Sequence, residues 1–195
     1  MKTLVAAVLS LFALVIVLAG CKGSRKGYES APYRVVSCDA KLELRDYPAI
    51  VVAETPMRGD SGSSFQRLFR YISGQNAGSQ KIAMTTPVFI AEGQSERLMS
   101  FVMPADIESA PLPKDSAVRL ATIPAGRFAV FGFSGSRNAQ AEKNALDQLR
   151  SWMKSRALVS AGEPIYGYFD PPWTPPFLRR NEVMLRVDTN PPTSP

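Results

Sequence analysis

The order of apolar and polar positions changes period several times along this chain, and each change marks an element. Residues 33–38, 42–47 and 49–55 are rich in Val, Ile and Tyr, with polar alternation in the second run, and predict three strands. Phe65, Leu68, Phe69 and Ile72 then fall at i, i+3, i+4 and i+7, the spacing of one helical face. Ser63 or Ser64 is placed to cap the start of that helix, and Gly74 supplies a stop. Strands at 88–91 and 98–103 follow, joined by a polar turn through Gly93. The same order returns with strands at 118–123 and 127–134 and a longer helix over 138–156 that buries Ala145, Leu149, Trp152 and Met153. Strands at 165–169 and 182–187 complete it.

Tyr47-Pro48-Ala49 before one strand is echoed by Ile123-Pro124-Ala125 before another, 76 residues later, and the two helices sit at a similar offset. The pattern predicts two related halves, each strand–strand–helix–strand–strand. A single helix cannot cover both faces of its sheet, and halves of about 75 residues would have small cores. The expected fold is therefore one α+β domain, a distorted antiparallel β-barrel of two pseudo-symmetric halves with two helices packed on it.

The first residues carry a different signal. Lys2 is followed by an apolar stretch to Gly20, and no further charge occurs before Lys22. A basic start, an apolar run and small residues have the layout of a secretory signal peptide. Leu18-Ala19-Gly20-Cys21 resembles a bacterial lipobox, in which the cysteine sulfur is acylated and the chain is cut just before it. The expected organisation is a signal peptide over 1–20, a lipidated Cys21 with a flexible tether over 21–30, the folded domain over 31–189, and a disordered Pro- and Ser-rich tail over 190–195. Several acyl chains would hold the protein to a membrane, since each buried methylene adds about 0.8 kcal/mol. Lys22 rather than Asp follows the cysteine, which under the enterobacterial sorting pattern points to the outer membrane, facing the periplasm.

Composition narrows the chemistry. The net charge is +6, and Lys2 is the only charge in the expected signal peptide. The basic residues are scattered and the compartment is extracytoplasmic, so no nucleic-acid partner is expected. The sequence contains no histidine, which removes the commonest general base at neutral pH and the commonest metal ligand. Of the two cysteines, Cys21 is assigned to lipid, leaving Cys38 in an apolar run as an expected buried, unreactive thiol. Gly132-Phe133-Ser134-Gly135-Ser136 only brushes against a nucleophile elbow, and no metal or phosphate motif occurs. No catalytic residue and no metal site are assigned.

Three stretches carry a family resemblance: Phe69-Arg70-Tyr71-Ile72-Ser73-Gly74, Lys81-Ile82-Ala83-Met84-Thr85-Thr86-Pro87-Val88, and residues 170–183 with their Pro-Pro-Trp-Thr-Pro-Pro core. In this order, with Phe101-Val102-Met103-Pro104 between the last two, the chain resembles the SOUL heme-binding family from about Tyr33 to Val187. The resemblance implies a pseudo-symmetric distorted barrel and non-covalent binding of heme or another tetrapyrrole. It also implies an apolar groove along the first helix, at Phe65 and Phe69, with Arg70 as the basic residue at its edge. The alternative for both rings is that they face the core. Trp173 either stacks on a flat ligand or lids the core. Arg179 and Arg180 either meet propionates or pair with acids such as Glu182. Some members are proposed to ligate iron through histidine, which this chain lacks; axial ligation would come from Cys38, a Tyr or a Met, or be absent, and binding would rest on apolar contact and propionate pairing. Two other functions stay open: a small-molecule binding or hydrolytic module around a carboxylate such as Glu182, Glu54 or Asp170, with a cationic or amphipathic ligand, and a lipoprotein of structural role without a ligand.

Overall fold

The structure, a computed structural model, describes residues 27–188 apart from 94 and 108. The expected signal peptide, Cys21 and the tail from 190 lie outside the described residues. Eleven strands and two helices are described: β1 (Glu29–Ser30), β2 (Arg34–Asp39), β3 (Leu42–Tyr47), β4 (Ile50–Pro56), α1 (Ser61–Ile72), β5 (Thr85–Thr86), β6 (Val88–Glu92), β7 (Arg97–Val102), β8 (Arg119–Ile123), β9 (Gly126–Phe133), α2 (Ala139–Ser155), β10 (Ile165–Tyr168) and β11 (Asn181–Arg186). Glu29 and Ser30, at the end of the expected tether, pair in parallel with Thr85 and Thr86. Among the described residues, no helix is long and apolar enough to cross a membrane.

Nine strands form one sheet in the order β2-β3-β9-β11-β10-β6-β7-β4-β8, antiparallel throughout. It curls into a half-barrel with β2 and β8 as its edges. The repeat read from the sequence is visible in the pairing. One half contributes β3, β4, α1, β6 and β7, the other β8, β9, α2, β10 and β11. Each half gives its first strand to the other, so β3 lies beside β9 and β8 beside β4. The α+β fold of two related halves is thus observed.

Strand alternation sorts the core into layers. On the face that carries the helices, Leu68, Tyr71 and Ile72 of α1 pack on Ala53, Ile90, Met99 and Phe101. Ala145, Leu149, Trp152 and Met153 of α2 pack on Ala129, Phe131, Val183 and Leu185. The alternate residues, among them Ile50, Val52, Phe89, Val102, Phe128, Val130 and Met184, fill the inside of the curl. One expectation fails here. Cys38 is exposed, because β2 is an edge strand whose pairing with β3 shifts between Val35 and Ser37. An edge position and a bulge leave an apolar-looking run outside the core.

Candidate ligand-binding site

The start of α1 is set by Asp60, whose carboxylate accepts the Ser63 backbone N–H at 2.6 Å, rather than by Ser63 or Ser64. An acceptor before the first turn satisfies one of the unpaired helix N–H groups, and a carboxylate also suits the positive helix end. Ser64 is buried, with its hydroxyl donating to the Pro56 carbonyl at 3.2 Å. The helix stops at Gly74, whose φ of +108° suits a residue without a side chain.

With Leu68, Tyr71 and Ile72 turned to the sheet, the helical period carries Phe65 to the flank and Phe69 out of the core. Phe65 is half-buried and meets Phe101 edge to face at 5.1 Å. The Phe65 and Phe69 rings lie 6.1 Å apart and within 13° of parallel, and Phe69 is 44% exposed. The pair makes a short flat apolar wall with its outer ring in solvent. Arg70 follows in the last helical turn, exposed, and takes part in no ion pair among the described residues. Where the chain leaves the helix, Ile82 N–H donates to the Ile72 carbonyl at 2.8 Å. An open cavity of about 480 Å³ lies there, lined in part by Lys81, Ile82, Pro104 and Ile107.

The Pro-rich loop between β10 and β11 does not lid the core. Trp173 is 81% exposed and Phe177 76%, so neither lids the core. Arg179 donates to the Thr174 carbonyl at 2.7 Å and to the Pro172 carbonyl, clamping its own loop instead of presenting a free guanidinium. Further bonds brace the loop: Arg180 N–H to the Asp170 carboxylate at 2.6 Å, and Gly135 N–H to the Pro176 carbonyl at 3.0 Å. The register Tyr168↔Val88↔Phe101 puts this loop at the sheet end where α1 finishes. Phe65, Phe69 and Arg70 are brought together on one helix, while Trp173 and Arg179 belong to a separate braced loop at that end.

The sequence pattern of the SOUL heme-binding protein family matches residues 28–186, most of the chain. The chain belongs to the SOUL heme-binding family. That family is a heme-binding one, not an enzyme family. No curated protein matches the sequence. Among solved structures, the C-terminal domain of EcmrR is similar, with 15% identity, a TM-score of 0.57, and coverage of 80% of this chain and 98% of that one. A hydrolase from Listeria innocua is similar at 11% identity and a TM-score of 0.55, covering 78% of this chain and 94% of that one. At such identities the likeness concerns the fold alone.

Inside the curl this SOUL protein holds a charged cluster, of which the sequence offered only the pairing of Arg180 with Glu182. Arg45, 3% exposed, makes a two-pronged contact with Glu182 at 2.8 and 3.0 Å. It also reaches Glu43 at 2.6 Å and the Tyr47 hydroxyl at 3.1 Å, and lies over the Tyr33 ring at 4.1 Å. Arg180 adds a second cation to Glu182 at 2.6 Å. Burial alone would raise the Glu182 pKa, but the charges and hydrogen bonds of Arg45, then Arg180, more than offset it and hold the carboxyl below its usual range. Every other buried glutamate is also paired: Glu54 with Arg119 at 2.6 Å, and Glu142 with Arg97 at 3.1 Å. Among the described residues, no three acidic or thiol side chains cluster to hold a metal ion.

Proposed function

We propose that this chain binds a tetrapyrrole non-covalently on the outer flank of α1, in a domain held to a membrane by lipid on Cys21. The observation that carries the reading is the parallel pair of half-buried Phe65 and exposed Phe69 beside exposed Arg70 on the helix of a SOUL-family chain. A flat porphyrin needs its faces covered and its propionates met. The aromatic wall suits the first need, and the Arg70 guanidinium, in no ion pair among the described residues, suits the second. When bound, heme would bring an iron centre. With no histidine in the sequence, this chain's contribution is to hold the ring rather than to ligate iron.

The pairing of the buried glutamates weighs against the carboxylate-centred alternative. A cationic ligand or a general base would need a carboxylate free of a bound cation, and Glu54, Glu142 and Glu182 each carry at least one arginine. The signal peptide, Cys21 lipidation and placement at the outer membrane facing the periplasm rest on the lipobox-like Leu18-Ala19-Gly20-Cys21 and on Lys22. The test of the site is a fluorescence-quenching titration of heme into the wild type, Phe69→Ala and Arg70→Ala. Phe69→Ala should weaken binding at every salt concentration. Arg70→Ala should weaken it most at low salt, because a surface ion pair is screened within about 10 Å at 0.1 M salt. Unchanged affinity in both variants would remove the ligand from this helix.

A further inference from the structure

Trp173, Phe177 and Leu178 stand exposed on a loop that is held stiff. Prolines at 171, 172, 175 and 176 fix much of its backbone, and Arg179 ties two of its carbonyls together. The side chains therefore cannot easily fold back, and a braced apolar tip of this kind marks a contact surface. Its position in the fold points to the partner. The loop leaves β10 at Tyr168, which pairs with Val88 at the start of β6. Just before Val88, Thr85 and Thr86 pair with Glu29 and Ser30, and the Ser30 and Thr86 hydroxyls meet at 3.0 Å. The N-terminal strand and the apolar tip thus lie at the same end of the sheet. Cys21 precedes Gly27 by six residues, which reach at most about 20 Å when extended.

We propose that the loop 171–178 is a second membrane contact, with Trp173, Phe177 and Leu178 entering the interface of the bilayer that receives the Cys21 lipid. The inference rests on the lipid-anchor reading and is independent of tetrapyrrole binding. Tryptophan is the side chain most suited to the headgroup level, where its ring is buried and its N–H stays hydrated. Exposed Lys81, just before β5, matches anionic headgroups. A single chain-end lipid lets a domain tumble, whereas a second contact at the same end fixes which face meets the bilayer.

The lipidated chain, purified from membranes after cleavage before Cys21, is reconstituted in vesicles of phosphatidylethanolamine and phosphatidylglycerol, with or without brominated acyl chains, and tryptophan emission is read. The chain has two tryptophans, and Trp152, on α2, is buried against the sheet. Brominated lipid should quench the wild type, and Trp173→Phe should lose the quenched component. Phe177→Ser keeps the Trp173 reporter and should show reduced quenching. Flotation of the same vesicles reports anchoring separately. Protein that floats while Trp173 is quenched by aqueous iodide and untouched by brominated lipid overturns the loop contact and leaves the anchor. Protein that does not float contradicts the anchor and overturns the proposal with it.

Discussion

Glu182→Gln should be among the most damaging single substitutions in this domain, although Gln is nearly the same size. The change removes the negative charge between Arg45 and Arg180, and Arg45 is left deep in the curl with only Glu43 opposite. Breaking a buried pair from one side costs about 3–5 kcal/mol, and the remaining Glu43 contact places the expected loss near the lower end. For a domain of this size each kcal/mol lowers Tm by about 2–4 °C, so a fall of roughly 6–12 °C is expected by thermal unfolding at pH 7. The pH dependence gives an independent check. The folded-state pKa of Glu182 lies below its unfolded value, so its contribution is complete above about pH 4.3 and disappears as pH falls through the lower folded value. The wild type should lose stability steeply below about pH 4.3, and Glu182→Gln should flatten that limb. It should not abolish the limb, because Asp39, held low by Arg156, and Asp46, held low by Arg127, contribute in the same direction. A Glu182→Gln loss under about 1 kcal/mol, with an unchanged acid limb, would refute a tightly coupled buried pair.

Asp60→Ala should lower stability by about 1 kcal/mol in a denaturant titration through loss of the α1 cap, and an unmoved midpoint would contradict the cap. Cys38 should react with a thiol reagent in the native protein, with the signal lost in Cys38→Ser. Protection until denaturant is added would contradict its exposure. Cys21→Ala should abolish labelling by a palmitate analogue and leave uncut precursor, and a labelled variant would contradict the anchor.

Much of the fold was legible because local pattern and final burial agree. The i, i+3, i+4, i+7 spacing located α1, and all four residues expected inside α2 are buried. The echo between residues 47–49 and 123–125 marks the true repeat, since β4 and β9 begin at Ile50 and Gly126. Misreadings arose where tertiary position overrides pattern. Residues 33–38 look like a core strand, but only the sheet order makes β2 an edge. Helix periodicity fixes which side faces the core but not where its rim lies, so Phe65 and Phe69 were left ambiguous between wall and core. Arg45 alternates with Leu42 and Leu44 as a solvent-facing residue would, and only the curl of the sheet encloses it. Its partner lies 137 residues away, beyond any local signal. The charge of Arg179 suggests propionates, and its bonds to the Pro172 and Thr174 carbonyls become visible only once the loop backbone is in place.

Tetrapyrrole binding by this chain is tested most directly by titrating the purified protein with heme and, separately, with iron-free protoporphyrin, following tryptophan quenching and the Soret band. A ring that buries a few hundred Å² gains about 5–10 kcal/mol gross, which after ordering costs leaves binding no tighter than about micromolar. Without a histidine ligand the iron adds little. Both ligands should bind saturably and within about tenfold of each other, a difference under roughly 1.4 kcal/mol. Heme binding hundreds of times tighter than protoporphyrin would show that a side chain of this protein ligates iron. Absence of saturable binding by either ligand would contradict tetrapyrrole binding at the Phe65–Phe69 wall.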